Sequence, residues 1–341
     1  MEFRVGITRD FLRPDGSLGF GDIGLGLLDE IKNLRREFLP ETAAELPRHL
    51  ADEYDALLVL APRVTASTLA GCERLGLVAR FGVGYDNVDV DACTRNGVLL
   101  TITPEGVRRP VATAALAFLL ALSHKLLIKD RLTRDGRWAE KLDQMGTGLT
   151  GRTLGVIGLG NIGRELFHLA APFEMRYVAF DPYLALDHAA EGIEMLGLDQ
   201  VLTESDFIVV CCALTAETRH LLDARRLRLM KPTAYLINIA RGPIVDQAAL
   251  TAALVERRIA GAALDVFETE PVVADDPILQ LDNVIVAPHA IAWTDELFRR
   301  TGRVACQSII DVAQGRLPQS IVNRSVLDHP ALQAKLGRFR S

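Results

Sequence analysis

Thr153-Leu154-Gly155-Val156-Ile157 is a short apolar run that leads directly into Gly158-Leu159-Gly160-Asn161-Ile162-Gly163. A run without polar alternation predicts a strand buried on both faces. The helical spacing of Asn161–Ala171 makes the glycines the turn between that strand and a helix. Gly158 permits the tight turn, Gly160 lets the backbone approach a pyrophosphate, and Gly163 allows close helix–strand packing. The free N–H groups and positive dipole end of the helix start, at Asn161 and Ile162, suit phosphates. A second strand, Tyr177–Asp181, ends in an acid 18 residues after Gly163. Asp181 there can accept hydrogen bonds from both hydroxyls of an adenosine ribose and would repel a 2′-phosphate. Pro182 and Tyr183 follow it, with no arginine. The pattern predicts a dinucleotide site that favours NAD over NADP.

Around this unit, strand and helix alternate along the chain. Strands are expected at Phe3–Ile7, Ala56–Leu60, Leu77–Arg80, Val98–Ile102, Thr153–Gly158, Tyr177–Asp181, Phe207–Cys212, Tyr235–Ile239, Ala262–Val266 and Val284–Ala287. Such alternation implies α/β architecture with parallel sheets covered on both faces. At roughly 100–200 residues per domain, 341 residues suggest two domains. A long, mostly buried helix is expected after Pro104 through Val111–Leu122, and a solvated helix at Lys129–Lys141 anchored by Trp138.

Lys+Arg 38 against Asp+Glu 44 gives a net charge of -6, so no basic face advertises nucleic acid. The apolar run Val111–Leu122 is shorter than the about 20 residues a bilayer needs, so no membrane partner is expected. Cys72, Cys93, Cys211, Cys212 and Cys306 form no C-x-x-C pair and are odd in number. They read as reduced thiols of a cytoplasmic protein, with no metal site.

Three later motifs place an arginine, a glutamate and a histidine at or just beyond predicted strand ends. They are Asn238-Ile239-Ala240-Arg241-Gly242, Asp265-Val266-Phe267-Glu268-Thr269-Glu270-Pro271 and Ala287-Pro288-His289-Ala290. In an open parallel sheet, ligands sit beyond the carboxyl ends of the strands, so all three groups are expected to face the dinucleotide crevice. These residue types suit reduction of a 2-keto acid. A histidine supplies the carbonyl oxygen's proton, and a buried carboxylate on its other nitrogen orients the ring. A guanidinium holds the substrate carboxylate and polarises the carbonyl.

With these motifs the chain resembles the D-isomer-specific 2-hydroxyacid dehydrogenases from about Asp55 to Asn323. The resemblance implies two Rossmann-like parallel-sheet domains with the active site in the interdomain cleft. A discontinuous substrate domain would comprise 1–104 and 296–341, and an NAD-binding domain 105–295. It implies that Arg241 orients the substrate, Glu270 pairs with the acid/base His289, and Asp265 lies near the nicotinamide carboxamide. Thr215 belongs to a segment passing the cofactor, with Ala213 where the family usually has proline. It further implies a homodimer through the cofactor domain, for which the Val111–Leu122 helix offers an apolar surface. The similar C-terminal-binding corepressors make an NAD(H)-sensing regulator the alternative reading.

Arg80-Phe81-Gly82-Val83-Gly84-Tyr85-Asp86-Asn87-Val88-Asp89 resembles the family's substrate loop. Its glycines let the Val83 and Gly84 amides form a nest for a carboxylate, or simply turn the chain. His49, His124, His168, His188, His220 and His329 are expected to lie on the surface or to cap helices, without comparable partners. Cys211 and Cys212 are expected to pack in the core. Trp293 either roofs the pocket from the helical face of His289 or simply packs. Arg63 is a candidate contact for a second substrate charge. Arg108 and Arg109 are expected to precede the long helix, either solvated or at a dimer surface.

Overall fold

The computed structural model describes residues 2–184 and 192–339. The chain forms two compact units, Met1–Val107 with Trp293–Ser341, and Arg108–Ala292.

The first unit contains β1 (Phe3–Ile7), β2 (Leu34–Phe38), β3 (Ala56–Val59), β4 (Leu77–Arg80) and β5 (Leu99–Thr101). All pair in parallel, in the order β2-β1-β3-β4-β5. The interior strand β3, Ala-Leu-Leu-Val, is buried at every position. Its two leucines and its valine each contribute roughly 1.5–3 kcal/mol. The edge strand β2, Leu-Arg-Arg-Glu-Phe, had not been expected. Arg35, Arg36 and Glu37 remove the apolar run that marks interior strands, and charge at an edge discourages pairing with another chain.

The second unit contains β6 (Thr153–Ile157), β7 (Arg176–Phe180), β8 (Ile193–Met195), β9 (Phe207–Val210), β10 (Tyr235–Asn238), β11 (Gly261–Leu264) and β12 (Val284–Val286). Its parallel sheet runs β12-β11-β10-β9-β6-β7-β8. Order reverses between β6 and β9, which puts the ligand crevice at the carboxyl ends of those strands. The three-residue edge strand β8 was also unanticipated.

The helix Pro104–Ser123 is 20 residues long. Among the described residues it is the one helix long and apolar enough to cross a membrane, longer than the apolar run alone suggested. Ala112, Ala115, Phe118, Leu119 and Leu122 are buried in a core shared with Leu154 and Val156. Arg108 and Arg109 lie inside this helix rather than before it, and both reach Glu165, at 3.5 and 2.7 Å. The solvated helix expected at Lys129–Lys141 is instead an α-helix at Leu126–Arg134 and a 3₁₀ turn at Trp138–Asp143. Gly136, with φ of 69°, breaks it. Trp138 is no anchor: it is 64% exposed, with Lys141 Nζ 5.9 Å from its ring centre.

Candidate active site

The glycine loop follows β6, and each glycine meets different surroundings. Gly158 has φ of 95°, and a Cβ there would lie 2.6 Å from the Cys212 backbone. A Cβ on Gly163 would lie 2.7 Å from Gly158 O and 2.9 Å from Val156 Cγ1. Gly160 differs: nothing lies within 4 Å of a Cβ built on it. It caps the helix Asn161–Ala170 with no side-chain hydrogen bond, so Asn161, Ile162 and Gly163 open the helix beside clear space. Protein packing therefore requires two of the glycines, whereas the third keeps a phosphate-sized approach clear, which fits a dinucleotide. Gly160→Ala is expected to fold with an unchanged Tm yet lose about tenfold in NADH affinity. Gly158→Ala is expected to lower Tm itself, because the left-handed turn and the Cys212 backbone both oppose a side chain. Calorimetry beside NADH fluorescence titration separates the two.

Asp181 follows β7. Its Oδ2 accepts the Leu159 N–H of the glycine loop at 3.0 Å and its Oδ1 the Tyr183 N–H at 3.0 Å. The carboxylate thus holds the glycine loop from the end of the neighbouring strand. Thr215 lies beyond β9, in a turn where its N–H donates to Thr218 Oγ1 at 2.7 Å. Cys211 and Cys212 pack against the two apolar cores of this unit, and burial raises the Cys212 thiol to about 11.

Arg241, Glu270 and His289 lie beyond the carboxyl ends of β10, β11 and β12. His289 Nδ1 is 2.8 Å from Glu270 Oε2. Glu270 Oε1 accepts the Phe267 N–H at 2.9 Å. Burial pushes the Glu270 carboxyl upward, but the His289 and Phe267 hydrogen bonds, with the positive charges of His289 and Arg241, outweigh it. The net shift is below the ordinary 4.5. The Glu270 contribution to stability is therefore present above that value and is lost as pH falls through the depressed one.

The partner of His289 is not the buried carboxylate expected, since Glu270 keeps 36% side-chain exposure. The buried acid is Asp265, which organises the histidine loop. Its Oδ1 accepts the Ala290 and Ile291 N–H groups at 2.8 and 3.0 Å, and its carbonyl accepts the His289 N–H at 2.7 Å. Burial raises the Asp265 carboxyl, partly offset by these N–H donors and His289. His289 itself has φ of 56°, in the left-handed region. A non-glycine residue is held there only where its surroundings over-determine it. Arg241 Nη1 donates to Ala240 O at 2.7 Å.

In the first unit, the loop after β4 carries Val83 and Gly84, both half-buried. The Gly82 N–H is taken by Thr103 Oγ1 at 2.9 Å, and Gly82 has φ of 129°. The Val83 and Gly84 N–H groups make no such bond among the described residues. Arg63 exposes its side chain, while its backbone pairs with Ala44 and Leu46. Trp293 is not on a helix with His289. It precedes the helix Asp295–Ala313 and packs edge-on to Phe20 and Phe298 at 5.1 and 5.4 Å.

Of the other histidines, His49, His124 and His168 are exposed, and His329 caps the helix Pro330–Gly337. His188 lies outside the described residues. His220 is exposed as expected but does have a partner: its Nε2 is 2.5 Å from Glu268 Oε1. Neither residue stood out in the sequence, because 48 positions separate them.

A Rossmann-type sheet, a glycine loop and a histidine–carboxylate pair at the strand ends define a dinucleotide-dependent oxidoreductase. Comparison with known proteins agrees. The family described as D-isomer specific 2-hydroxyacid dehydrogenase, NAD binding domain, matches residues 116–290. A glyoxylate reductase of Korarchaeum cryptofilum is 39% identical, covering 80% of this chain and 84% of that protein. A D-3-phosphoglycerate dehydrogenase of Archaeoglobus fulgidus is 36% identical over 87% of this chain, which spans 55% of its length. The D-lactate dehydrogenase of Aquifex aeolicus, solved with NAD and lactic acid, superposes with a TM-score of 0.80. It is 28% identical and covers 94% of this chain and 99% of its own. The chain belongs to the D-isomer-specific 2-hydroxyacid dehydrogenases. It is an NAD-dependent oxidoreductase that transfers hydride between nicotinamide and C2 of a 2-keto acid and D-2-hydroxy acid pair.

Proposed function

We propose that the chain reduces glyoxylate with NADH, His289 supplying the proton to the carbonyl oxygen. The 2.8 Å contact between His289 Nδ1 and Glu270 carries this reading. It commits one ring nitrogen to the carboxylate and leaves Nε2 for the substrate, while the carboxylate stabilises imidazolium. Arg241 binds the substrate carboxylate and polarises the carbonyl, and the Val83 and Gly84 amides of the other unit are read as a carboxylate nest. Gly158, Gly160, Asn161, Ile162 and Gly163 bind the pyrophosphate and Asp181 the ribose. Thr215 flanks the cofactor, and Asp265 lies near the nicotinamide carboxamide while holding the His289 loop. The unit Arg108–Ala292 serves the cofactor and the other unit the substrate. Glyoxylate is favoured because the relative from Korarchaeum cryptofilum is a glyoxylate reductase.

The test is NADH oxidation at 340 nm against a panel of glyoxylate, hydroxypyruvate, pyruvate and 3-phosphohydroxypyruvate. A kcat/KM highest on glyoxylate supports the proposal. Preference for another acid of the panel refutes glyoxylate and names its replacement.

We also place the protein in the cytoplasm, as a homodimer joined through the cofactor unit, without nucleic-acid or membrane partners. All five cysteines are free, which suits a reducing compartment. The apolar face of Pro104–Ser123 is spent on its own core, so the proposed dimer surface is the segment that follows. Leu126, Leu127, Trp138, Leu142 and Met145 are exposed there, the last two at 81% and 82%. We read these exposed apolar side chains, grouped in one segment, as the association surface. Leu142→Asp with Met145→Asp is expected to halve the mass measured by light scattering while preserving the circular dichroism spectrum. An unchanged mass moves the interface elsewhere.

A further inference from the structure

A second histidine–carboxylate pair lies among the loops that carry the site. His220 Nε2 is 2.5 Å from Glu268 Oε1, and Glu268 stands two residues before Glu270. Gln247 holds the same glutamate from the other side. Its N–H donates to Glu268 Oε2 at 3.3 Å, and the Glu268 N–H donates to Gln247 Oε1 at 2.9 Å. The His220 N–H donates to Pro243 O at 2.8 Å, two residues beyond Arg241. Leu222 N–H donates to Ile244 O and Asp246 N–H to Leu222 O, so residues 220–222 run alongside 243–246. At Gly242 the Arg241 loop presses directly on the Glu270 loop, since a Cβ there would lie 1.8 Å from Phe267 O. Glu268 is thus the shared acceptor where three segments meet.

We propose that His220 and Glu268 form a positioning pair that fixes the Arg241 loop against the Glu270 loop. The inference rests on the roles assigned above to Arg241, Glu270 and His289. Arg241 must meet the substrate carboxylate while His289 meets the carbonyl oxygen of the same small molecule. A relative shift of about 1 Å between their loops therefore misaligns both contacts at once. His220 has φ of 49°, a left-handed conformation maintained by its bonds to Pro243 and Glu268. Its Nε2 is engaged with Glu268, so the pair acts through Arg241 and Glu270 rather than on the substrate.

The full-length chain is assayed with NADH and the panel acid that wild type reduces fastest. His220→Ala and Glu268→Ala are each expected to lower kcat/KM about tenfold, through both a raised KM and a lowered kcat. NADH affinity stays within about twofold of wild type, because the glycine loop and Asp181 are untouched. The double variant is no worse than the worse single one, as for two residues acting as a unit. Folded single variants within twofold of wild type, or losses that multiply in the double variant, overturn the proposal. If either alanine variant fails to fold, His220→Gln and His220→Asn decide. The Gln amide reaches the Nε2 position and keeps kcat/KM within about threefold, whereas Asn stops short and loses about tenfold. Equal values for the two overturn it. Arg241→Ala and Glu270→Gln run in parallel. If they leave turnover intact, the assignment of the site fails; if both lower it by about tenfold or more while His220 variants stay normal, only the positioning pair fails.

Discussion

His289→Ala is expected to reduce turnover by about 100-fold or more and to leave NADH affinity nearly unchanged. The loss falls on kcat because the role proposed for the imidazole is proton delivery, which matters most as the carbonyl oxygen gains negative charge. NADH affinity is spared because the glycine loop and Asp181 lie after β6 and β7, whereas His289 follows β12. The loop itself survives the substitution: Asp265 holds it through the Ala290 and Ile291 N–H groups and the His289 backbone, none of which involves the ring. Glu270→Gln gives a smaller loss, about tenfold, since the amide oxygen can still accept from His289 Nδ1 but no longer stabilises imidazolium. Stopped-flow NADH oxidation with saturating keto acid reads both variants. Near-normal turnover of His289→Ala would remove this histidine from proton transfer and leave another group to supply the proton.

What the sequence reveals about this molecule follows from how local each signal is. The interior strands are readable because a fully buried strand must be apolar at every position, as in Phe207–Val210. Edge strands carry no such requirement, and β2 with its Arg35-Arg36-Glu37 core and the three-residue β8 pass unnoticed. The helix expected at Lys129–Lys141 has the right polar spacing, yet Gly136 in a left-handed conformation divides it. In the site, the glycine loop is legible because turn, approach and packing each require glycine at a fixed offset within one strand–helix unit. The Arg241, Glu270 and His289 motifs are legible through their positions at strand ends, which the parallel sheet brings to one edge. The contact between His220 and Glu268 is not, because it exists only where three loops from separate strand ends converge. The burial of Asp265 in place of Glu270 is likewise a product of tertiary packing, set by how the Ala290–Ile291 turn folds over it.

Asp181 is expected to govern the choice between NADH and NADPH, and two substitutions separate its two tasks. A 2′-phosphate about 5 Å from the carboxylate would meet a repulsion of roughly 3 kcal/mol at an effective dielectric near 20, less after screening at this half-buried position. Removing the charge should therefore improve NADPH relative to NADH by about tenfold or more. The same carboxylate accepts the Leu159 N–H, so Asp181→Ala also frees the glycine loop and is expected to weaken both cofactors. Asp181→Asn keeps an acceptor for Leu159 while discarding the charge. It should shift the NADH to NADPH ratio nearly as far as Ala does, with a smaller loss of NADH affinity, since an uncharged amide still accepts one ribose or backbone donor. Fluorescence titration with each cofactor, followed by kcat/KM for both, distinguishes the two contributions. A ratio unchanged in both variants would mean that a group other than Asp181 reads the ribose. A ratio shifted in Ala but not in Asn would mean that loop geometry, rather than charge, excludes the phosphate.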